Sequence, residues 1–353
     1  MLRKILLPAL IASSISFSGI AAAETKVGFV YVGPVGDHGW SYQHDQGRQA
    51  VEKELGVKTT FVESVSEGAD AERVIRKLAS SGNDIIFTTS FGYMNPTVKV
   101  AKKFRKVKFE HATGYKRLDN VSTYSARFYE GRAILGTIAG KMTKSNVVGY
   151  IGSFPIPEVI RGIDAFTLAL RKVNPAATVK VVWVNSWFDP GKEGDAAKAL
   201  IDQGVDIITQ HTDSPAPLQV AEKRGVYAFG QASDMKGFAP KAQLTSIVDN
   251  WSDYYIARVK AVMDGSWKST ETWDGIKQGM VKMAPYGDAV PQDVRDLADK
   301  VKASIVDGSF HPFQGPIKNQ KGEVVVKAGE VISDGDLAKL NWYVEGVEGT
   351  FPQ

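Results

Sequence analysis

The loop Gly33-Pro34-Val35-Gly36-Asp37-His38-Gly39-Trp40-Ser41 sets a large flat indole close behind a carboxylate. An aromatic plate beside an acid suits a neutral ring bearing N–H donors, because the ring stacks while the carboxylate accepts hydrogen bonds. Ser90-Phe91-Gly92-Tyr93-Met94-Asn95-Pro96 repeats the formula. There Phe91 or Tyr93 can stack, Gly92 lets a ligand approach the backbone, and Asn95 can both donate and accept. Further along stand Trp187-Phe188-Asp189, Gln210-His211-Thr212-Asp213 and Gln231-Ala232-Ser233-Asp234. Each group follows an expected strand, and open α/β sheets bind ligands at their strand tips. The residues expected to bind are therefore Asp37, Trp40, Ser41, Phe91, Gly92, Asn95, Trp187, Gln210, Asp213 and Asp234, with Trp40 and one of Phe91 or Trp187 enclosing the ring. Trp40→Ala is expected to abolish binding with little loss of stability.

Other chemistry has weak support. The first loop lacks the glycine spacing of a dinucleotide fingerprint and has no lysine before Ser41, so it cannot cradle phosphates in the Walker manner. The five histidines, His38, His44, His111, His211 and His311, have no metal-ligand spacing, and no Gly-x-Ser-x-Gly elbow is present. Neither a metal nor a cofactor is expected. Asp37 and Asp234 are conceivable as an acid and base for N-glycosidic cleavage, but hydrogen bonding to a ligand or capping a helix is the commoner role for such carboxylates. The net charge of +4 comes partly from Lys102-Lys103 and Arg105-Lys106, which alternate with apolar residues as on a solvated helix face, so no nucleic-acid partner is expected.

The elements that would position these residues repeat. Leu78-Ala-Ser-Ser-Gly82-Asn-Asp84-Ile85-Ile86 recurs as Leu200-Ile-Asp-Gln-Gly204-Val-Asp206-Ile207-Ile208. Each copy reads as a helix end, a glycine stop and a short buried strand. Alternating strands and helices on either side of this repeat predict two doubly wound parallel-sheet domains, an α/β class, facing one another across a cleft. Residues 1–23 read as a signal peptide, with a basic start, an apolar middle and Ala21-Ala22-Ala23 before the cleavage point. The expected lobes are 24–123 plus 249–276 and 124–248 plus 277–353, joined by a hinge. A small hairpin is expected around Asn319 to Lys327.

The chain also resembles a known family, the basic membrane protein family of substrate-binding proteins for ABC transporters, in its purine nucleoside receptor-like branch. The resemblance rests on Glu130-Gly131-Arg-Ala-Ile-Leu-Gly136-Thr-Ile-Ala139-Gly140, Gly149-Tyr-Ile-Gly152, Pro157-Glu-Val-Ile-Arg161, Asn174-Pro175, Asp189-Pro190 and Gly230-Gln-Ala-Ser-Asp234. It implies a type I periplasmic binding protein fold, a small-molecule ligand, a membrane permease as partner and no enzymatic activity. Relatives carry Asp-x-Ser-Phe-Asn after the first strand; here Asp37-His38-Gly39-Trp40-Ser41 keeps the acid and the aromatic but not the asparagine. Asp249 stands where relatives carry a lysine that helps hold the sugar, and it is expected to be a ligand-binding residue too. These two departures favour a smaller ligand, such as a free purine base like adenine, over a nucleoside. A nucleoside, flavin or sugar receptor, and more distantly a secreted nucleosidase, remain as alternatives. With no cysteine to bear a lipid, a monomer released into the periplasm is expected.

Overall fold

The computed structural model describes residues 24–36 and 38–352. The expected signal peptide and Asp37 lie outside the described residues. The first lobe is built on β1 (Lys26–Val30), β2 (Lys58–Val62), β3 (Ile85–Thr88), β4 (Lys108–Ala112) and β5 (Val121–Ala126). Its helices are α1 (Trp40–Leu55), α2 (Ala69–Ser80) and α3 (Met94–Ala101). The second lobe carries α4 (Phe128–Met142), β6 (Val147–Gly152), α5 (Pro157–Val173), β7 (Thr178–Trp183), α6 (Pro190–Asp202), β8 (Ile207–His211), α7 (Ala216–Arg224), β9 (Tyr227–Gly230) and β10 (Gln243–Asp249). The rest of the chain serves both lobes: α8 (Ser252–Met263), β11 (Glu271–Asp274), β12 (Val281–Met283), α9 (Gln292–Asp307), the hairpin β13 (Ile317–Lys318) and β14 (Val324–Val326), α10 (Asp334–Leu337) and β15 (Val347–Glu348).

The first sheet runs β11-β5-β4-β3-β1-β2 and the second β12-β10-β9-β8-β6-β7-β15. Both are parallel except for β12, which lies antiparallel to β10. Central strands such as β3 and β8 are buried along their whole length because helices cover both faces. Helix α2 puts Ala71, Val74, Ile75 and Leu78 into the core at helical spacing. Helix α6 begins at Pro190, earlier than the apolar pattern suggests, because the Asp189 carboxylate accepts the Lys192 N–H and caps it.

The chain passes between the sheets three times. The passages fall at Arg127, at Asn250 and along Gly275–Met280, and they are bonded to one another. Arg127 donates its N–H to the Asp274 carbonyl at 2.8 Å, and Asn250 donates its own to Met280 at 2.9 Å. Glu130, from the stretch that carries the resemblance, accepts the Ile276 N–H at 2.7 Å. The three passages form one hinge. The first sheet keeps Tyr124 to Ala126, so the chain leaves it later than the expected boundary at 123/124.

Among the elements not foreseen from the sequence are α9 and β5. Helix α9 buries only Val294, Ala298 and Ile305, too narrow an apolar stripe to stand out in a charged segment. Strand β5, Val-Ser-Thr-Tyr-Ser-Ala, is polar by composition although five of its six residues are buried.

Candidate functional site

Strand tips of both lobes converge on a cleft of about 340 Å³. Val32, Trp40, Ser90, Phe91 and Thr113 line it from the first lobe; Glu158, Trp187, His211, Asp213 and Gln231 line it from the second. Its mixture of aromatic and polar walls is that of a small-molecule site. A second chamber of about 670 Å³ opens toward the hinge and shares Phe91, Thr113 and Glu158 with the cleft.

The indole of Trp40 is fixed on three sides. Its N–H donates to the Thr89 carbonyl, and its ring meets His44, Phe128 and Trp251 edge to face at centroid distances of 4.4, 5.9 and 5.6 Å. Asp213 follows β8, and its N–H donates to the Trp187 carbonyl at 2.9 Å. Among the described residues its carboxyl group has no hydrogen-bond partner, so it is an open acceptor at the cleft wall. Burial raises its pKa well above the usual carboxylate value, and the nearby carboxylates of Glu193, Asp249 and Glu158 push the same way.

Behind this wall lies Arg132, fully buried. It donates to Thr209 Oγ1 at 3.2 Å and to the Gln231 side-chain carbonyl. Gln231 thereby turns its amide N–H₂ into a donor available to the cleft. Asp249, at the end of β10, is also fully buried, and neither carboxylate oxygen has a partner among the described residues. Burial is the main cause of its raised pKa; Glu158 adds to it and Arg132 opposes it. His211 Nε2 lies 3.6 Å from Glu158 Oε1, and burial lowers the histidine pKa despite that acid.

The cleft thus gathers Trp40, Phe91, Trp187 and Asp213, with Asp249 beneath its lining. The other expected residues serve elsewhere. Asn95 is exposed on α3 and accepts from Lys116 Nζ at 2.8 Å, because the buried side of that helix is taken by Pro96, Thr97, Val100 and Ala101. Ser41 Oγ accepts the Gly33 N–H at 3.0 Å and stabilises its own loop. Gln210 is buried and donates to the Thr212 and Ser214 carbonyls, shaping the turn after β8. Asp234 is exposed and accepts from Lys236 N and Gln243 Nε2. Gly92 makes room for Glu67, as described below.

Lobe closure depends on a second glycine. Gly39 has φ 82° and ψ −151°, a conformation open almost only to glycine, and its N–H donates across the cleft to Ser233 Oγ at 2.7 Å. A Cβ there would lie 2.2 Å from the Asp213 carbonyl oxygen. Gly39→Ala is therefore expected to weaken ligand binding by about tenfold or more, since the backbone conformation alone costs roughly 1–3 kcal/mol. Calorimetry with an unchanged Kd would contradict this packing.

Two hinged, doubly wound lobes closing on a cleft at their strand tips define a type I periplasmic binding protein. The chain belongs to the Bmp family, ABC transporter substrate-binding protein PnrA-like, whose model matches residues 24–312. It is 61% identical to a purine-binding protein of Brucella abortus over 95% of this chain and 97% of that protein. It is 38% identical to a protein of Haloferax volcanii that carries a provisional ABC transporter glucose-binding name, over 95% of this chain and 83% of the other. A solved ABC transporter solute-binding protein from Aeropyrum pernix shares the fold with a TM-score of 0.71 at 20% identity, over 84% of this chain and 93% of that one.

This chain is accordingly a substrate-binding protein of an ABC transporter, a class that works outside the cytoplasm and delivers a small molecule to a membrane permease. Among the described residues no helix is long and apolar enough to cross a membrane.

Proposed function

We propose that the receptor captures a purine-like ligand, a free base such as adenine in preference to its nucleoside, and releases it chemically unchanged to its permease. The observation that carries this reading is the unpartnered carboxyl group of Asp213 set among the rings of Trp40, Phe91 and Trp187. Aromatic faces take the two sides of a planar ring, the acid takes an N–H on its edge, and the Gln231 amide supplies a donor for a ring nitrogen. The Brucella relative supports the purine assignment.

Preference for the base is supported by what stands where a sugar would be held. Asp249 brings a buried carboxyl group instead of a cation, and Ser41 turns its hydroxyl to Gly33. A free base also keeps the ring N–H that a nucleoside gives up to its sugar. Calorimetry is expected to show adenine binding about three- to tenfold tighter than adenosine, the worth of one hydrogen bond. Mass spectrometry of the molecule released on denaturation is the independent check. Tighter adenosine binding would overturn the preference for the base, and recovery of glucose would overturn the purine reading.

A further inference from the structure

Glu67 lies on the first lobe in the loop between β2 and α2, and one of its oxygens accepts three hydrogen bonds. Oε1 takes the Ser90 hydroxyl at 2.5 Å, the Gly92 N–H at 3.0 Å and the Trp187 indole N–H at 3.1 Å. The first two donors belong to its own lobe. The third comes from the opposite lobe, across the mouth of the cleft. Gly92 is shaped for this contact, since a Cβ there would lie 2.1 Å from the Glu67 carboxyl carbon. The acceptor is thus oriented by its own lobe before the lobes meet, so little ordering remains to be done on closure.

Trp187 is one of the aromatic plates of the cleft, and Phe154 supports its ring at a centroid distance of 5.2 Å. An indole has a single donor, so engaging it fixes which way the plate faces. We propose that Glu67 is a positioning residue: it locks the Trp187 indole over the bound ligand and sets the lifetime of the closed complex. This inference rests on the reading of the cleft as the ligand site. Because the lock forms only as the lobes close, it acts on ligand escape and leaves ligand entry alone.

The test is a double-mutant cycle read by stopped-flow kinetics with adenine. Trp187→Phe keeps a ring and removes the N–H; Glu67→Ala removes the acceptor; Glu67→Gln keeps a neutral acceptor. Each of the first two is expected to speed dissociation about three- to tenfold, the range for one exposed hydrogen bond, with association unchanged. The double variant is expected to dissociate no faster than the more severe single one, and Glu67→Gln to fall between wild type and Glu67→Ala. Additive effects, or a change confined to association, would overturn the lock, because loss of the Ser90 and Gly92 contacts alone does not couple to Trp187.

Failure of wild-type protein to bind adenine would instead overturn the free-base reading. The lock is then judged without ligand, from the Trp187 indole N–H resonance. It is expected to move in Glu67→Ala, and an unmoved signal would reject the contact.

Discussion

Trp40→Ala is expected to weaken adenine binding about five- to hundredfold, because one stacked face contributes about 0.5–1.5 kcal/mol beyond the area it covers and the apolar area adds a similar amount at roughly 25 cal/mol per Å². The expectation from sequence that this substitution leaves stability nearly untouched is corrected by the packing around the ring. Trp40 meets His44, Phe128 and Trp251 edge to face, and its N–H satisfies the Thr89 carbonyl. Removing it opens a cavity between the lobes and frees a carbonyl, a loss of about 2–3 kcal/mol for a half-buried ring. Trp40→Phe separates the two effects, since it keeps a stacking face and most of the contacts. Calorimetry and thermal melting of both variants check this, and unchanged affinity in Trp40→Ala would refute the stacking role.

Asp213→Asn is expected to move binding and stability in opposite directions. Replacing the acid removes one acceptor oxygen and fixes an amide donor at the cleft wall, so adenine affinity falls about three- to tenfold, as for one hydrogen bond. The ligand-free protein, by contrast, gains stability at neutral pH. With its pKa raised by burial and by neighbouring carboxylates, Asp213 holds its proton more tightly in the folded chain than in the unfolded one. Folding is then unpenalised below the unfolded value of about 3.9. The penalty grows as pH rises from there through the raised folded value. The stability difference between Asp213→Asn and wild type should therefore be small near pH 4 and widen toward neutrality.

The difference is the quantity to measure, because His44, His111 and His211 have lowered pKa values and pull total stability the other way as pH falls through about 6.5. A difference that stays flat with pH would show that Asp213 does not carry the strained proton.

What was legible in the sequence was the crevice at the strand tips. Trp40, Phe91, Trp187 and Asp213 each follow a strand with an apolar run, so their convergence in one crevice follows from the doubly wound order itself. Asn95 failed because α3 begins at Met94, after a 3₁₀ turn over Phe91–Tyr93, and the rotation of that helix sends it outward. Arg132 was missed although a signal was present: it is a lone charge in the apolar run Gly131 to Gly136, inside a helix buried nearly all round. Such a charge must find polar partners, and here they are Thr209 on β8 and Gln231 just past the end of β9. Glu158 and Glu67 had no local signal, since the groups that fix them, His211 for the first and Ser90, Gly92 and Trp187 for the second, are far away in sequence. Boundaries shifted for local reasons of capping, as at Asp189.

The last strand of the chain bears on how the molecule comes into being. β15 lies beside β7 at one margin of the second sheet, and β11, made after the second lobe's main strands, completes the margin of the first. Neither half is a continuous stretch of chain, so both sheets gain a final strand only from segments synthesised late. Early native structure lacks these edges and their long-range closure, which slows folding of a chain still being made. For a protein whose class works on the far side of a membrane, topology itself favours reaching the destination before locking into shape.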